Sequence, residues 1–312
     1  MPLSVYNRSV NMTKFYIVTP AYNALHWLQG CVRSVADQVC DGIEVHHHVQ
    51  DGGSSDGTQA WLTAWQREQS ETPHYRLTFE SAPDGGLYDA INKAWQKLPA
   101  DADVTAHINS DEQYLDGVFR SIAAALSKHR EVDMFITSYI VLDNQFRYIC
   151  HRRPSFPNRH VSKAFIQIIT NTCFYKASTF RARDIWFDIS YKALADVVFF
   201  RDILATRPCI LRLPELFGST FVVTGSNVSW LDIAESERLR IRHALPRFVR
   251  KITPYLCKGY ALLGIVLELF LKKPVVYGVY KCDEDRRSNC VINYPTVRWS
   301  MRRTSVPEMG NE

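Results

Sequence analysis

Three times in its first hundred residues this chain runs from an apolar strand through a polar loop into a helix, and that order leaves few folds open. Lys14-Phe-Tyr-Ile-Val-Thr-Pro20 reads as a buried first strand, rich in β-branched and aromatic residues and stopped by Pro20. Leu25, Leu28, Val32 and Val35 then share one face of a helix. Ile43 to Val49 predicts a second strand, Thr58 to Glu68 a helix, Tyr75 to Phe79 a third strand and Tyr88 to Lys97 its helix. A fourth strand, from Val104, climbs to the polar tip Asn109-Ser110-Asp111-Glu112. Parallel strands of this kind form a nucleotide-type α/β unit, and ligands of open α/β sheets bind at the carboxyl edge. Every polar tip falls at that edge. Ser110 or Asp111 read equally as the cap of a following helix, expected from Leu115 to Lys128.

The loops carry chemistry of their own. Gln50-Asp-Gly-Gly-Ser-Ser-Asp-Gly-Thr58 offers hydroxyls, amides and carboxylates on a glycine-flexible backbone. Ser81-Ala-Pro-Asp-Gly-Gly-Leu-Tyr-Asp89 opens directly into a helix, whose free N–H groups and positive dipole end suit an anion. Further on, Met134 to Leu142 predicts a strand, Tyr148 to His160 a basic mobile loop, and Ile168 to Tyr175 and Ile210 to Leu213 short strands. Asp188 to Asp196 leads into a helix.

The charge is +5 over 312 residues, with the excess crowded after Asp232: Arg238, Arg240, Arg242, His243, Arg247, Arg250 and Lys251. The apolar run from Tyr260 to Leu271 is shorter than the ~20 residues a bilayer-spanning helix needs. The pair reads as a membrane-surface element or as helices packed on the main domain. No nucleic-acid partner is expected. The eight cysteines form no C-x-x-C pair and predict free thiols in a reducing compartment. His46 and His48 share a strand face while His47 points away, which favours a structural role over a metal site.

Ile17-Val-Thr-Pro-Ala-Tyr-Asn23, Gln50 to Thr58, Gly86-Leu-Tyr-Asp-Ala-Ile-Asn-Lys93 and Asn109-Ser-Asp111 together resemble the family-two glycosyltransferases of bacterial polysaccharide synthesis. The resemblance covers about residues 14 to 225 and implies a GT-A fold: a mixed, mainly parallel α/β sheet with flanking helices, here with a C-terminal helical extension. It implies transfer with inversion from a nucleotide sugar, a UDP-sugar by expectation, to a saccharide or lipid-linked acceptor, with Mg2+ or Mn2+ as cofactor. Asp111 becomes the metal ligand, and Asn109 stands where an aspartate is common in the family. Glu112 reads as a second contact or a first-turn helix acid. Thr19, Pro20, Ala21, Tyr22 and Asn23 correspond to nucleoside contacts, and Asp51, with Gly52 and Ser54, to the base-binding loop. Asp84, Gly85, Gly86 and Asp89 fall on the donor side, as do Asn109 and Ser110. Asp56 reads as a helix cap or a ligand contact.

An inverting transfer needs a base for the acceptor hydroxyl. Ala195-Asp196-Val-Val-Phe-Phe-Arg201 resembles the family segment that supplies it, which makes Asp196 the base and leaves Asp188 and Asp202 structural. Two departures fall on the acceptor side. Asn171-Thr172 replaces a common His-Gln, and Thr224-Gly225-Ser226-Asn-Val-Ser229 replaces Gly-Gly-x-Ser. The expected organisation is a polar leader (1–12), the GT-A domain (13–231), basic and apolar helices (232–282) and a polar, partly disordered tail (283–312). The expected location is cytoplasmic, peripheral on the inner membrane. A catalytically silent sugar-nucleotide-binding partner of a synthase would share these motifs. Nucleotidyltransfer would call for a basic, glycine-rich first loop, which Thr19-Pro-Ala-Tyr-Asn23 is not.

Overall fold

The computed structural model describes residues 12–154, 168–224, 232–269, 274–281, 284–293 and 295. Nearly all of the expected leader, residues 155–160 of the 148–160 loop, residues 225–229 and the end of the tail lie outside them. The strand–loop–helix repeat is realised by β1 (Thr13–Ala21), α1 (Leu25–Ala36), β2 (Ile43–Asp51), α2 (Thr58–Glu68), β3 (Tyr75–Ser81), α3 (Leu87–Trp95) and β4 (Val104–His107). These strands are parallel, in the order β3-β2-β1-β4. The chain therefore steps outward from β1 to β3 and then crosses to the far side of β1. The crevice beyond the carboxyl ends of β1 and β4 is a topological switch point, where such sheets bind ligands.

The second half adds α4 (Val118–Lys128), β5 (Met134–Asp143), β6 (Tyr148–Arg152), β7 (Cys173–Lys176), α5 (Ala177–Arg183), α6 (Ala195–Ala205) and β8 (Ile210–Val223). Strand β7 runs antiparallel to β4 and β5, β6 antiparallel to β5, and β8 parallel to β5. The result is the mixed α/β sheet expected of a GT-A fold. Alternation along β1 divides the core. Phe15 and Ile17 pack with Leu28, Val32, Leu62 and Phe119 on one face, and Tyr16 and Val18 with Ile91, Trp95 and Phe199 on the other. Both faces are covered by helices, so the strands read as continuous apolar runs.

Several elements depart from the sequence reading. Strand β1 passes through Pro20 to Ala21, because Pro20 lies beyond the last β1–β4 pair, Val18–His107, where its missing N–H has no partner to lose. Residues 148–152 of the expected mobile loop form β6 on β5. Residues 210–223 form one long strand, with register shifts opposite Thr137 and Ser138 absorbing the irregular segment around Pro214 and Glu215. The helix after Asp111 starts at Val118, behind Gly117 at φ +71°, so Glu112 is not a first-turn helix acid.

After α7 (Asp232–His243) and α8 (Arg247–Leu269), the chain returns as an antiparallel hairpin of β9 (Val275–Tyr280) and β10 (Arg287–Ile292). A strand therefore stands where a polar tail is expected. Val275, Tyr277 and Val279 pack with Leu115, Ile140, Leu142 and Val222. Arg287 bonds both Asp37 carboxylate oxygens, at 2.6 and 2.9 Å. Gln113, two residues past Asp111, donates to the Tyr280 carbonyl at 2.7 Å and accepts from the Tyr280 amide at 2.8 Å. The hairpin thus braces the acidic tip from behind. Gln113→Leu would strand both buried Tyr280 groups, and we expect it to cost about 2–4 kcal/mol, read as a lowered denaturation midpoint at unchanged slope.

Candidate active site

The first two loops are tied to each other before any ligand is considered. Asn23, in the left-handed region at φ +46°, donates its amide to Ser54 Oγ at 2.7 Å, and its Oδ1 accepts the Ser55 amide at 2.9 Å. Asp56 accepts the Leu25 amide at 2.9 Å and the Thr58 amide at 3.1 Å. It thereby serves the first turns of α1 and α2, the cap reading. Asp51 is buried at the end of β2. One of its oxygens takes the Ser54 hydroxyl, and the other takes the Ser81 hydroxyl and the Ser54 amide at 3.1 Å. These contacts are those of the Asx-turn reading, and they leave one acceptor direction on the oxygen that takes only the Ser54 hydroxyl.

Gly52 is where three loops meet. A Cβ there would lie 3.0 Å from Asp84 Oδ2 and 3.3 Å from Tyr22 Cδ2, tight contacts that would press on the side chains of the first and third loops. Tyr22 is 66% exposed, free to stack on a planar ligand above this junction. Thr19 is wholly buried, with its hydroxyl turned to His47 Nε2 at 2.9 Å. Pro20 and Ala21 complete β1 beside it. In the third loop Asp84 accepts the Gly86 amide at 2.8 Å, and Asp89 accepts the Gly85 amide at 2.7 Å and pairs with Lys93. Both carboxylates shape the glycine turn that opens α3.

Asn109, Ser110 and Asp111 occupy the turn after β4, at the switch point. Glu112 folds back beneath it, buried, with Oε2 accepting the Asn109 amide at 3.0 Å. Burial raises the Asp111 carboxyl above the ordinary carboxylate range. Burial, then the Asp111 charge, raises Glu112 well above the carboxylate range. Among the described residues no ion pair reaches Asp111. Asn109 Oδ1 is buried without a hydrogen-bond partner there. A carboxyl that burial makes reluctant to ionise, beside an orphaned amide oxygen, fits a hard cation or its water. Among the described residues no three His, Cys, Asp or Glu side chains gather as a metal cage. An ion of the Mg2+ type needs only one or two carboxylates when substrate phosphates complete its shell.

Asp196 stands in the first turn of α6, half-buried, accepting the Val197 amide at 2.9 Å. Burial pushes its carboxyl up to about 7, with the Glu237 charge adding a smaller push. The glycine loop and this helix start are joined twice: Tyr88 Oη donates to the Ala193 carbonyl at 3.0 Å, and Lys192 Nζ to the Gly85 carbonyl at 2.8 Å. Asn92 of α3 adds a paired contact, taking the Phe187 amide and donating to the Phe187 carbonyl. The expected base and the third loop are therefore neighbours. Asp188 accepts the Ser190 amide, and Asp202 pairs with Arg201, both local roles.

Two contributors were missed by sequence reasoning. Glu237, buried on α7, accepts the amides of Lys192, Ala193 and Leu194 at 2.6–3.0 Å, fixing the approach to Asp196. Asn171 donates to the Thr220 carbonyl at 2.9 Å and hydrogen-bonds Glu112 under the acidic tip. Nothing in the sequence around Glu237 marks it out from its basic helix. Asn171 is visible only as a departure from a common His-Gln.

The histidine run is structural in its contacts. His46 and His48 both meet the Thr78 hydroxyl, at 2.8 and 2.9 Å, and His47 lies between Thr19 and Tyr75. Burial lowers all three, to about 4, 3 and 4, so they are neutral at physiological pH. The described cysteines Cys31, Cys40, Cys150, Cys173, Cys209 and Cys290 are free thiols.

A mixed, mainly parallel sheet with a nucleotide-type switch point and three converging polar loops is the GT-A architecture. The Glycosyl transferase family 2 profile matches residues 16–188, more than half of the chain, and the chain belongs to that family. Uncharacterized glycosyltransferases of two Mycobacterium tuberculosis strains are 38% identical over 77 residues. The match spans 25% of this chain and 26% of theirs. Among solved structures, S. aureus TarS 1–349 in complex with UDP-GlcNAc superposes with a TM-score of 0.56 at 18% identity, over 76% of this chain and 69% of that one. The mannosyltransferase PcManGT from Pyrobaculum calidifontis, in complex with GDP-Man and Mn2+, gives 0.55 at 14% identity, over 83% and 74%. At such identities the likeness concerns the fold.

Proposed function

We propose that this glycosyltransferase moves a sugar, with inversion, from a nucleotide sugar of the UDP type to a saccharide or lipid-linked saccharide in polysaccharide synthesis. Mg2+ or Mn2+ would be held by Asp111, with Asn109 contacting the ion's water or the ribose. The observation that carries this reading is the placement of Asp196 in the first turn of α6, whose approach is joined to the glycine loop through Tyr88 and Lys192, with burial raising its carboxyl to about 7. A base with that proton affinity at the edge of a donor loop suits removal of a hydroxyl proton near neutral pH.

The chain's own residues divide the work. Asp51, Gly52, Ser54 and the first loop receive the nucleoside, and Tyr22 covers the base. Gly85, Gly86 and the α3 N-terminus approach the donor with backbone N–H groups. Asp196 takes the acceptor proton as the hydroxyl attacks the anomeric carbon from the face opposite the leaving diphosphate. When bound, the cation offsets the negative charge that builds on that diphosphate. The TarS and PcManGT structures hold UDP-GlcNAc and GDP-Man with Mn2+, which supports a nucleotide-sugar donor and a divalent ion for the fold.

The donor is testable without knowing the acceptor. In a thermal-shift screen of nucleotide sugars with and without Mn2+, one donor class should raise the midpoint, and more so with the ion, because ligand binding stabilises the native state by mass action. Stabilisation by no nucleotide sugar would count against the proposal.

A further inference from the structure

Sugar transfer makes no use of a groove of about 570 Å3 at the α7–α8 junction, lined by Arg242, Arg247, Arg250, Lys251 and Lys258 together with Pro254 and Tyr255. None of the lining residues is acidic. Arg247, Arg250, Lys251, Pro254 and Lys258 recur at helical three- and four-residue spacings and so share one face of α8. The adjacent face carries Phe248, Tyr255 and Leu262 at seven-residue intervals, 72%, 76% and 64% exposed.

Five cations around one groove repel one another, and a stripe of large apolar side chains beside them is costly in water. A surface that offers phosphates and hydrocarbon at the same depth relieves both. Among the described residues no helix is long and apolar enough to cross a membrane, which leaves α8 to lie along a bilayer. We propose that this face docks on an anionic phospholipid surface. Headgroup phosphates sit among Arg247, Arg250, Lys251 and Lys258, and Phe248, Tyr255 and Leu262 enter the acyl boundary. The docking rests on α8 itself, and its purpose rests on the lipid-linked acceptor proposed above.

The test is co-sedimentation of the full chain with phosphatidylcholine vesicles, with and without phosphatidylglycerol. Nucleotide-dependent thermal stabilisation is measured in parallel as a sign of an intact donor site. The wild type should bind vesicles containing phosphatidylglycerol, weaken as salt rises, and bind pure phosphatidylcholine poorly. Neutralising Arg247, Lys251 and Lys258 to Gln should weaken anionic binding by about fivefold for each charge removed, with nucleotide stabilisation retained. Phe248→Ser with Tyr255→Ser should weaken it as well. Equal binding to both vesicle types, or unchanged binding by the Gln variant, would overturn the proposal. Retention on a sulfated polymer without vesicle binding would assign the groove to a soluble polyanion and overturn it too. Should the triple variant fail to fold, Lys258→Gln alone decides, by the same fivefold criterion. Vesicle binding by a wild type that ignores every nucleotide would leave the docking standing and remove the donor reading instead.

Discussion

Asp196→Asn is expected to abolish sugar transfer while nucleotide binding stays at the wild-type level. Asparagine keeps the shape and can still accept the Val197 amide, but it cannot take a proton. Loss of a general base lowers turnover by about 10²–10⁴-fold, and the loss should appear in kcat rather than KM. The wild-type pH profile carries a matching signature. Burial holds the Asp196 carboxyl at about 7, and the base works only when ionised, so transfer should fall as pH drops through about 7. Stability should respond with the opposite sign. A folded-state value raised above the ordinary carboxylate value means that the unfolded chain releases this proton first. Native stability is therefore lost as pH rises from the ordinary carboxylate range to about 7. Above that window Asp196→Asn should melt no lower than the wild type. A variant that loses activity and also unfolds early would show Asp196 to be structural. One that turns over normally would move the base elsewhere.

Asp111→Asn carries the second large effect: loss of Mn2+-dependent donor binding. Changes to outer-shell groups cost about 10–100-fold in metal affinity, so removing the charged ligand itself should reach or exceed that range. Asparagine preserves the turn after β4, and Asp111 makes no ion pair among the described residues, so the fold should survive. The readout is a calorimetric titration with a uridine nucleotide at saturating and zero Mn2+. The wild type should bind more tightly with the ion, and the variant should show no difference. An Asp111→Asn protein that keeps the full Mn2+ dependence would place the ion on other residues.

The first four strands were legible because each is an apolar run closed by polar residues, and burial on both sheet faces produces that pattern. Their tips were legible too. Asn23, Asp51, Gly52 and Asp84 meet because β1 and β2 pair Ala21 with Asp51, and because Gly52 admits Asp84 and Tyr22. What the sequence could not show was contact over long separations. Gln113 is held by Tyr280, and the segment leading to Asp196 by Glu237, through bonds that no local pattern announces. Residues 210–223 escaped because Pro214, Glu215 and Gly218 break the alternation, which the ladder with β5 tolerates through shifted register. Glu112 was misplaced because an acid ahead of an amphipathic segment looks like a helix start. The start was in fact set five residues later, by the left-handed Gly117.

The metal-dependent transfer proposed for the Asp111–Asp196 pair is tested most directly by release of nucleoside diphosphate from the donor that gives the largest thermal shift. The measurement compares wild type, Asp111→Asn and Asp196→Asn, with and without Mn2+. The wild type should release diphosphate only with the ion, Asp111→Asn should release none, and Asp196→Asn should release none while still binding nucleotide. Donor binding by a wild type that releases no diphosphate with any acceptor would contradict the transfer and mark the chain as a silent nucleotide-sugar-binding partner. Equal release with and without the ion would contradict the role given to Asp111.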